Sequence, residues 1–413
     1  MTALLADADF RRVWLVGSIA GGLRWLELLA VGVYVLEQTG SPSMVALMTV
    51  VRLAPMFLCG LVIGAIADRY ERKTLLLLGL VVLLLASAVL AVLAFTGQIT
   101  LWQIAIGAFL NGIFFAGDYP VRRIMSAEIA GVDRLGRAMG LESATSNATR
   151  MLGPALGGLL LETLGLAGVY LLGALLYLVS VALMLRVRYR STRFEGQARN
   201  ILGTLGEGWR FVRARRVIVG TLMVTVVVNF WGFAYISMVP VIGERVLGLS
   251  AFPIGVLMSV EGLGALLGAL LVGPFSKPHA YTRIYLLSSF VFLLGVLGFA
   301  LSDRFPLSLA LNLICGVSLA GFSVMQATIM FLAARPEMRS RVMGVLTVAI
   351  GAGPLGMLHL GWLADWLGAA AAVQVMALEG LVALALTALI WPETWRATDL
   401  APPPAPAADR TRG

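Results

Sequence analysis

Six charged side chains stand inside long apolar runs: Arg24, Glu27, Arg52, Arg150, Glu261 and Glu379. At the middle of a bilayer each would cost at least about 2.5–3.5 kcal/mol on insertion scales, so each needs a partner or a task. Arg24 and Glu27 lie three apart, close together on a helix surface, and one reading is that they simply neutralise each other. A static buried pair, however, is often worth no more than apolar packing, so a retained one points to use. The chemistry open to such a pair is proton exchange: a carboxylate that loads and unloads, tuned by a neighbouring arginine. Glu27 is the first candidate, because its protonation would free Arg24. Glu261 is the second, with a neutral carboxyl bonded to a neighbouring helix as its alternative. Glu142 fits a charge network near a helix end. Glu379 is set aside, and His359, beside glycines and Trp362, reads as structural.

Polar and aromatic stripes mark where a cavity would lie. Asn111, Phe115 and Asp118 follow i, i+4, i+7, as do Ser143, Asn147 and Arg150. Asn312, Ser323 and Gln326 fall on one helix face, and Trp231, Tyr235 and Met238 make an aromatic stripe. Aromatic and Met side chains suit a tolerant pocket, although each stripe alone also fits ordinary packing. Gly153, Pro154, Gly157 and Gly158 bring one helix close to a neighbour and bend it. No Walker motif, zinc-ligand spacing or nucleophile arrangement is present, so the sequence predicts no metal, no cofactor and neither ATP-driven nor hydrolytic chemistry. Cys59 and Cys315 both fall in apolar runs and read as small core side chains.

The elements that carry these residues follow from composition. Only 13% of the 413 residues are charged, against roughly 25% in soluble domains. The run 74–96 holds no charge, long enough to cross a hydrocarbon core about 30 Å thick. The pattern predicts an all-α membrane protein with twelve spans, about 11–36, 43–66, 74–96, 99–121, 139–161, 167–187, 217–242, 251–273, 283–301, 307–331, 343–364 and 369–391. With both termini placed in the cytoplasm, all but five of the 31 Lys and Arg fall on that side. Arg24, Arg52 and Arg150 lie within spans, and Arg245 and Arg304 lie opposite. This bias sets the orientation and accounts for a net charge of +9 without nucleic acid. No cleavable leader is expected at the N-terminus, where Asp7, Asp9, Arg11 and Arg12 precede the first span.

The expected organisation is a six-span bundle (1–187), a basic linker (188–216), a second six-span bundle (217–395) and a disordered tail (396–413). In the linker Ile201, Leu205, Trp209 and Val212 recur at helical spacing, which fits a helix lying on an anionic membrane surface or a solvated basic segment. An internal repeat supports the two bundles. IMSAEIAGVDRLGRAMG (124–140) and IMFLAARPEMRSRVMG (329–344) share their first two residues and an Arg-x-Met-Gly ending, and Gly153-Pro154 is echoed by Gly353-Pro354. Two related halves are the layout expected of a transporter with its site between them.

At these residues the chain resembles the major facilitator superfamily over almost its whole length. That family's loop between spans 2 and 3 reads G-x-x-x-D-x-x-G-R-K/R; here Gly64, Asp68, Arg72 and Lys73 match, and Glu71 stands in place of the second glycine. The stretch RMLGPALGG (150–158) is similar to the family's antiporter motif, and with LEQTGSPS (36–43) the chain looks closest to the enterobactin-exporter and multidrug-efflux branch. The resemblance implies a gate built on Gly64, Asp68, Arg69, Arg72 and Lys73, with Asp68 facing the start of span 11. Asp118, Arg122 and Arg123 are the expected partners of Arg72 and its neighbours. It also implies a cavity between spans 1, 4, 7 and 10, holding Arg52, Asn111, Phe115, Asn147, Arg150, Trp231, Tyr235, Asn312 and Gln326. The expected activity is proton-coupled export of amphipathic small molecules by a monomer in the cytoplasmic membrane, through rocker-switch alternating access. Drugs and siderophore-like compounds both fit. Three arginines against Glu27 in the first half lean toward an anionic or zwitterionic cargo. A lysophospholipid flippase, a transporter of a specific anionic metabolite and a non-transporting sensor are the alternatives.

Overall fold

The computed structural model describes residues 2–58, 71–189, 210–275, 277–335 and 338–396, and every regular element within them is helical. After a short turn of helix at Thr2–Ala6, α1 spans Ala8–Thr39. Its start is fixed by Asp7, whose carboxylate accepts from the backbone N–H groups of Asp9 and Phe10 at 3.0 and 3.2 Å. Its end is Gly40, in the left-handed region at φ 61°. α2 (Pro42–Leu58), α3 (Arg72–Phe95) and α4 (Leu101–Ala130) follow.

The next helical stretch, Leu135–Leu185, is interrupted at Gly165, where φ is 66° and ψ −174°. Drawn straight, its 51 residues would reach about 76 Å at 1.5 Å per residue. Yet Ala138 packs with Phe10, while Arg186, just past the other end, accepts a bond from Arg12 through its carbonyl. The chain therefore folds back at Gly165 into two limbs, α5 (135–164) and α6 (166–185). α7 is irregular: Arg216–Val227 is α-helical, Val228–Gly232 is π, Phe233–Ser237 is 3₁₀, and Val239–Arg245 is α-helical again. α8 (Ala251–Phe275), α9 (Tyr281–Leu301) and α10 (Phe305–Ala333) are regular. α11 is split by Gly351 into Arg339–Ile350 and Ala352–Leu367, and α12 is Ala369–Ile390. Ten of the described helices are long and apolar enough to cross a membrane; with the fold-back at Gly165 and the shorter α2, the twelve expected passages are all present.

Large apolar side chains such as Leu78, Leu85, Val92, Leu270 and Leu389 point outward, as a lipid-facing surface requires. Between helices the contacts are made by small residues, because lipid gives apolar side chains no reason to prefer each other and close backbone approach must hold the helices together. A Cβ on Gly153 would sit 2.6 Å from that of Trp25 on α1, and one on Gly268 would sit 2.6 Å from the Val317 carbonyl oxygen on α10.

The first six passages meet the last six mainly at the end remote from the termini. There Glu162 accepts from the Phe252 N–H at 2.9 Å and from Ser250 Oγ at 3.2 Å. Arg245 donates to the Gly40 carbonyl, and the Ser43 N–H donates to Asp365 at 3.3 Å. At the terminal end the polar bonds stay within one set. Lys73 Nζ donates to the Val187 carbonyl at 2.6 Å, and Arg216 pairs with Glu393 at 2.7 Å. Among the described residues, the polar bonds named here that join the two sets lie at the remote end.

Candidate functional site

A cavity of about 220 Å³ opens on that terminal side, walled by α1, α4 and α5 with Tyr177 of α6 behind. Arg24 stands in its wall. The guanidinium lies 3.5 Å from the centroid of the Phe115 ring and 5.3 Å from that of Trp25. Arg24 makes no hydrogen bond and no ion pair among the described residues. Asn147, one turn past Ser143 on α5, also lines this wall and donates to the Ser143 carbonyl at 3.1 Å.

Glu27 does not pair with Arg24. Residues three apart on a helix differ by about 60° in direction at roughly 100° per residue, and here that difference sends Arg24 into the cavity and Glu27 toward the interior of the first bundle. Glu27, 6% exposed, sits 3.6 Å from Arg52 Nη2 of α2 and accepts from Asn111 Nδ2 of α4 at 3.1 Å. The Asn111 carbonyl oxygen accepts from Arg52 at 3.0 Å, and its amide group also reaches the Tyr177 hydroxyl at 3.3 Å. Asn111 therefore touches both members of the pair and also lines the cavity. Behind it a void of about 10 Å³, bordered by Glu27, Arg52, Ser87 and Tyr170, has room for about one water molecule. Tyr177 and Tyr170 were not legible as site residues, because a tyrosine in an apolar run carries no period or charge that marks it.

Arg150 and Glu261 join the two sets of helices. Arg150 Nη2 on α5 lies 2.8 Å from Glu261 Oε1 on α8, and Glu261 is only 3% exposed. The contact is set by the bend residues. Pro154 cannot continue the hydrogen-bond ladder, and the N–H of Ala155 donates at 3.0 Å to Ser259 Oγ on α8. Gly262 lets α8 lie against this turn, since a Cβ there would be 2.7 Å from the Met151 nitrogen. Gly153 and Gly157 face α1, whereas Gly158 faces α8 at Ala251. Arg150 also lies 5.1 Å from the centroid of the Trp25 ring, which is thus near two arginines.

Nearer the mouth, Arg122 Nε donates to Asp118 at 3.2 Å, and its Nη1 reaches Glu142 at 2.5 Å. Gly17 of α1 makes room for this guanidinium. The expectation that Asp118, Arg122 and Arg123 would serve Arg72 is corrected here. Arg72 pairs with Glu128 at 2.7 Å and donates to the Tyr189 hydroxyl at 3.1 Å, and Tyr189 in turn donates to Glu128. Asp118 is taken by Arg122, four residues on along the same helix. Gly64, Asp68 and Arg69 lie outside the described residues, as do Cys59, Ile201, Leu205, Trp209 and the tail from residue 397.

The stripes of α7 and α10 are placed away from this cavity. Tyr235 is buried and donates to Asn312 at 3.2 Å, while Gln326 donates to Thr225 at 2.9 Å, all within the second set. Trp231 turns to the opposite side and donates to Glu379 at 2.9 Å. The π and 3₁₀ segments change the residues per turn, so the i, i+4 pair 231 and 235 does not share a face. Ser323 is exposed while Gln326 is buried.

A bundle of long apolar helices around a cavity lined by charged side chains is the architecture of a membrane transporter. The model of the Major Facilitator Superfamily matches residues 13–354 and 245–412, and the chain belongs to that family. It is 23% identical over 375 residues to the staphyloferrin A transporter of Staphylococcus aureus (strain NCTC 8325 / PS 47), covering 89% of this chain and 91% of that one. It is 26% identical over 397 residues to the multidrug efflux pump Tap of Mycolicibacterium fortuitum, covering 93% and 96%. Among solved structures it is similar in fold to a bacterial homolog of the human lysosomal transporter Spinster in an inward-facing, unoccupied conformation, with a TM-score of 0.70, 16% identity, and 94% and 97% of the two chains covered.

Proposed function

We propose that this protein exports amphipathic small molecules from the cytoplasm in exchange for protons, acting as a monomer in the cytoplasmic membrane with both termini inside. The observation that carries the reading is Glu27: a carboxylate buried behind the cavity wall, facing Arg52 and joined to the cavity by Asn111. Protonating Glu27 removes its attraction for Arg52 and frees Asn111 to turn toward the cavity. Cargo contacting Asn111 pulls the other way and favours proton loss. Each entering proton contributes about 2.3 kcal/mol per 100 mV of membrane potential, plus its pH gradient.

Alternating access follows from the seam between α5 and α8. In the inward-open form Arg150–Glu261 and Ala155–Ser259 hold α5 against α8; in the outward-open form the two helices part. Under this reading residues 1–187 and 217–395 rock as two bundles, with 188–216 as the basic linker and 396–413 as the tail. Export is supported by the name of one relative, the multidrug efflux pump Tap, aligned over nearly its whole length; the other is named a staphyloferrin A transporter.

The test is retention in an efflux-deficient bacterial strain loaded with one lipophilic cationic dye and one catecholate siderophore. The wild type loses at least one of them in a protonophore-sensitive way, and Glu27→Gln retains it. Equal retention in cells with and without the wild-type protein, for both compounds, contradicts the reading.

A further inference from the structure

Among the described residues each carboxylate of the site has a cation, but two cavity-lining cations, Arg24 and Arg123, have no carboxylate. Arg52 faces Glu27, Arg150 faces Glu261, and Arg122 is shared by Asp118 and Glu142. Arg123, at the mouth, is held by the Tyr119 hydroxyl at 2.9 Å and by Met139 Sδ at 3.3 Å. Arg24 alone among the described cavity-lining arginines has neither an acid nor a hydrogen-bond partner. Its guanidinium carbon instead lies over the Phe115 ring, 3.5 Å from the centroid, with the Trp25 centroid 5.3 Å away. Stacking on a ring fixes the plane of a guanidinium and leaves its edge N–H groups free, which is the geometry that receives a carboxylate through two parallel bonds.

We propose that Arg24 is the anchor for the cargo, and that the cargo carries a carboxylate beside a planar apolar group. The carboxylate takes the free edge of the guanidinium, and the planar group packs on Phe115 and Trp25. An unpaired cation partly withdrawn from water is costly to keep; an incoming anion removes that cost, while a cationic cargo adds to it. Asp118 and Glu142 do not reverse the preference, because Arg122 bonds both and Ser126 Oγ holds the second oxygen of Glu142 at 2.9 Å. This inference rests on the export reading for its meaning, so its test is binding, which requires no flux.

The purified full chain in lipid nanodiscs is titrated with three fluorescent probes that share one naphthalene ring system. Dansylglycine carries a carboxylate, dansylglycinamide is neutral, and dansylcadaverine is cationic. Emission excited through the nine tryptophans reports binding to the protein, the Arg24 variants assign it to the cavity, and protein-free nanodiscs give the lipid background. The wild type is expected to bind the carboxylate about tenfold or more tighter than the amide, as a charge-assisted bond implies. Arg24→Gln is expected to bind the two equally, and Arg24→Lys to keep a smaller preference, since an ammonium retains the charge but not the fork or the stacking. A thermal-melting check confirms that both variants are folded. Tighter binding of the amide or the cation, a carboxylate preference that persists in Arg24→Gln, or binding of none of the three probes overturns the proposal. Binding as expected without gradient-driven uptake into proteoliposomes would leave Arg24 as the anion site and count against the export reading alone.

Discussion

Glu27 and Arg24 face different surroundings despite lying three residues apart: Glu27 meets Arg52 and Asn111, and Arg24 meets Phe115. Glu27→Gln keeps an acceptor for the Asn111 amide but cannot change charge. It is expected to abolish proton-driven accumulation and, because Arg52 would be left buried against an uncharged partner, to lower the melting temperature without preventing folding, which flux and thermal melting check together. Glu261→Gln is expected to weaken the contact between α5 and α8, because Arg150 would be left buried against an uncharged partner. At the terminal end, burial first and then the bond to the Glu128 carboxylate push the Tyr189 hydroxyl up to about 12 from its ordinary 10.0, against the opposing pull of Arg72. A group whose folded value is raised stabilises below its unfolded value and loses that contribution as pH climbs through the folded one. The melting-temperature difference between wild type and Tyr189→Phe should therefore be constant below pH 10 and vanish between about 10 and 12. A difference that grew with pH would exclude the bond. The charged residues of the site were legible because any charge in an apolar run demands explanation. Their partners were not, since Arg52 and Asn111 reach Glu27 from other helices and no spacing along the chain records that.

Among the elements, small residues decide which helices meet and in which state. Gly262 lies on the seam between the two sets, where a Cβ would press on the Met151 nitrogen at 2.7 Å. Gly316 lies within the second set, where a Cβ would be 2.8 Å from the Ala265 nitrogen. Overpacking a tight contact costs about 1–3 kcal/mol, but the cost should appear differently. Gly316→Ala is expected to lower the melting temperature, whereas Gly262→Ala can be relieved by parting α5 from α8. It should therefore shift the protein toward its outward-open form with little loss of thermal stability. Double electron–electron resonance between spin labels at the ends of α5 and α8 would read that shift; equal melting losses for both variants would contradict it. The twelve passages were legible from apolar run length and turn residues, as was the fold-back near Gly165. The path of α7 was not, because its π and 3₁₀ turns are set by packing against α11 and α12. For that reason Trp231 and Tyr235, four apart, point to different neighbours.

For the whole molecule, membership in the family and the two-ended asymmetry of the structure combine into one account of alternating access. The basic residues gathered at one end carry the orientation expected from the sequence, since that bias is written in composition. Which end holds the bonds between the two sets was not legible, because Glu162 with Phe252 and Ser43 with Asp365 join residues far apart in the chain. In inside-out vesicles, a membrane-impermeant maleimide should label Ser146→Cys, which lines the open cavity, and spare Ser259→Cys, which lies in the closed seam. From the opposite face Ser259→Cys should become reactive only during turnover.

The most direct test of proton-coupled export is uptake of dansylglycine into inside-out proteoliposomes whose lumen is made acidic. Concentrative uptake by the wild type, collapsed by a protonophore and absent in Glu27→Gln, is the predicted result. Uptake that needs no proton gradient, or that Glu27→Gln performs as well as the wild type, would contradict it.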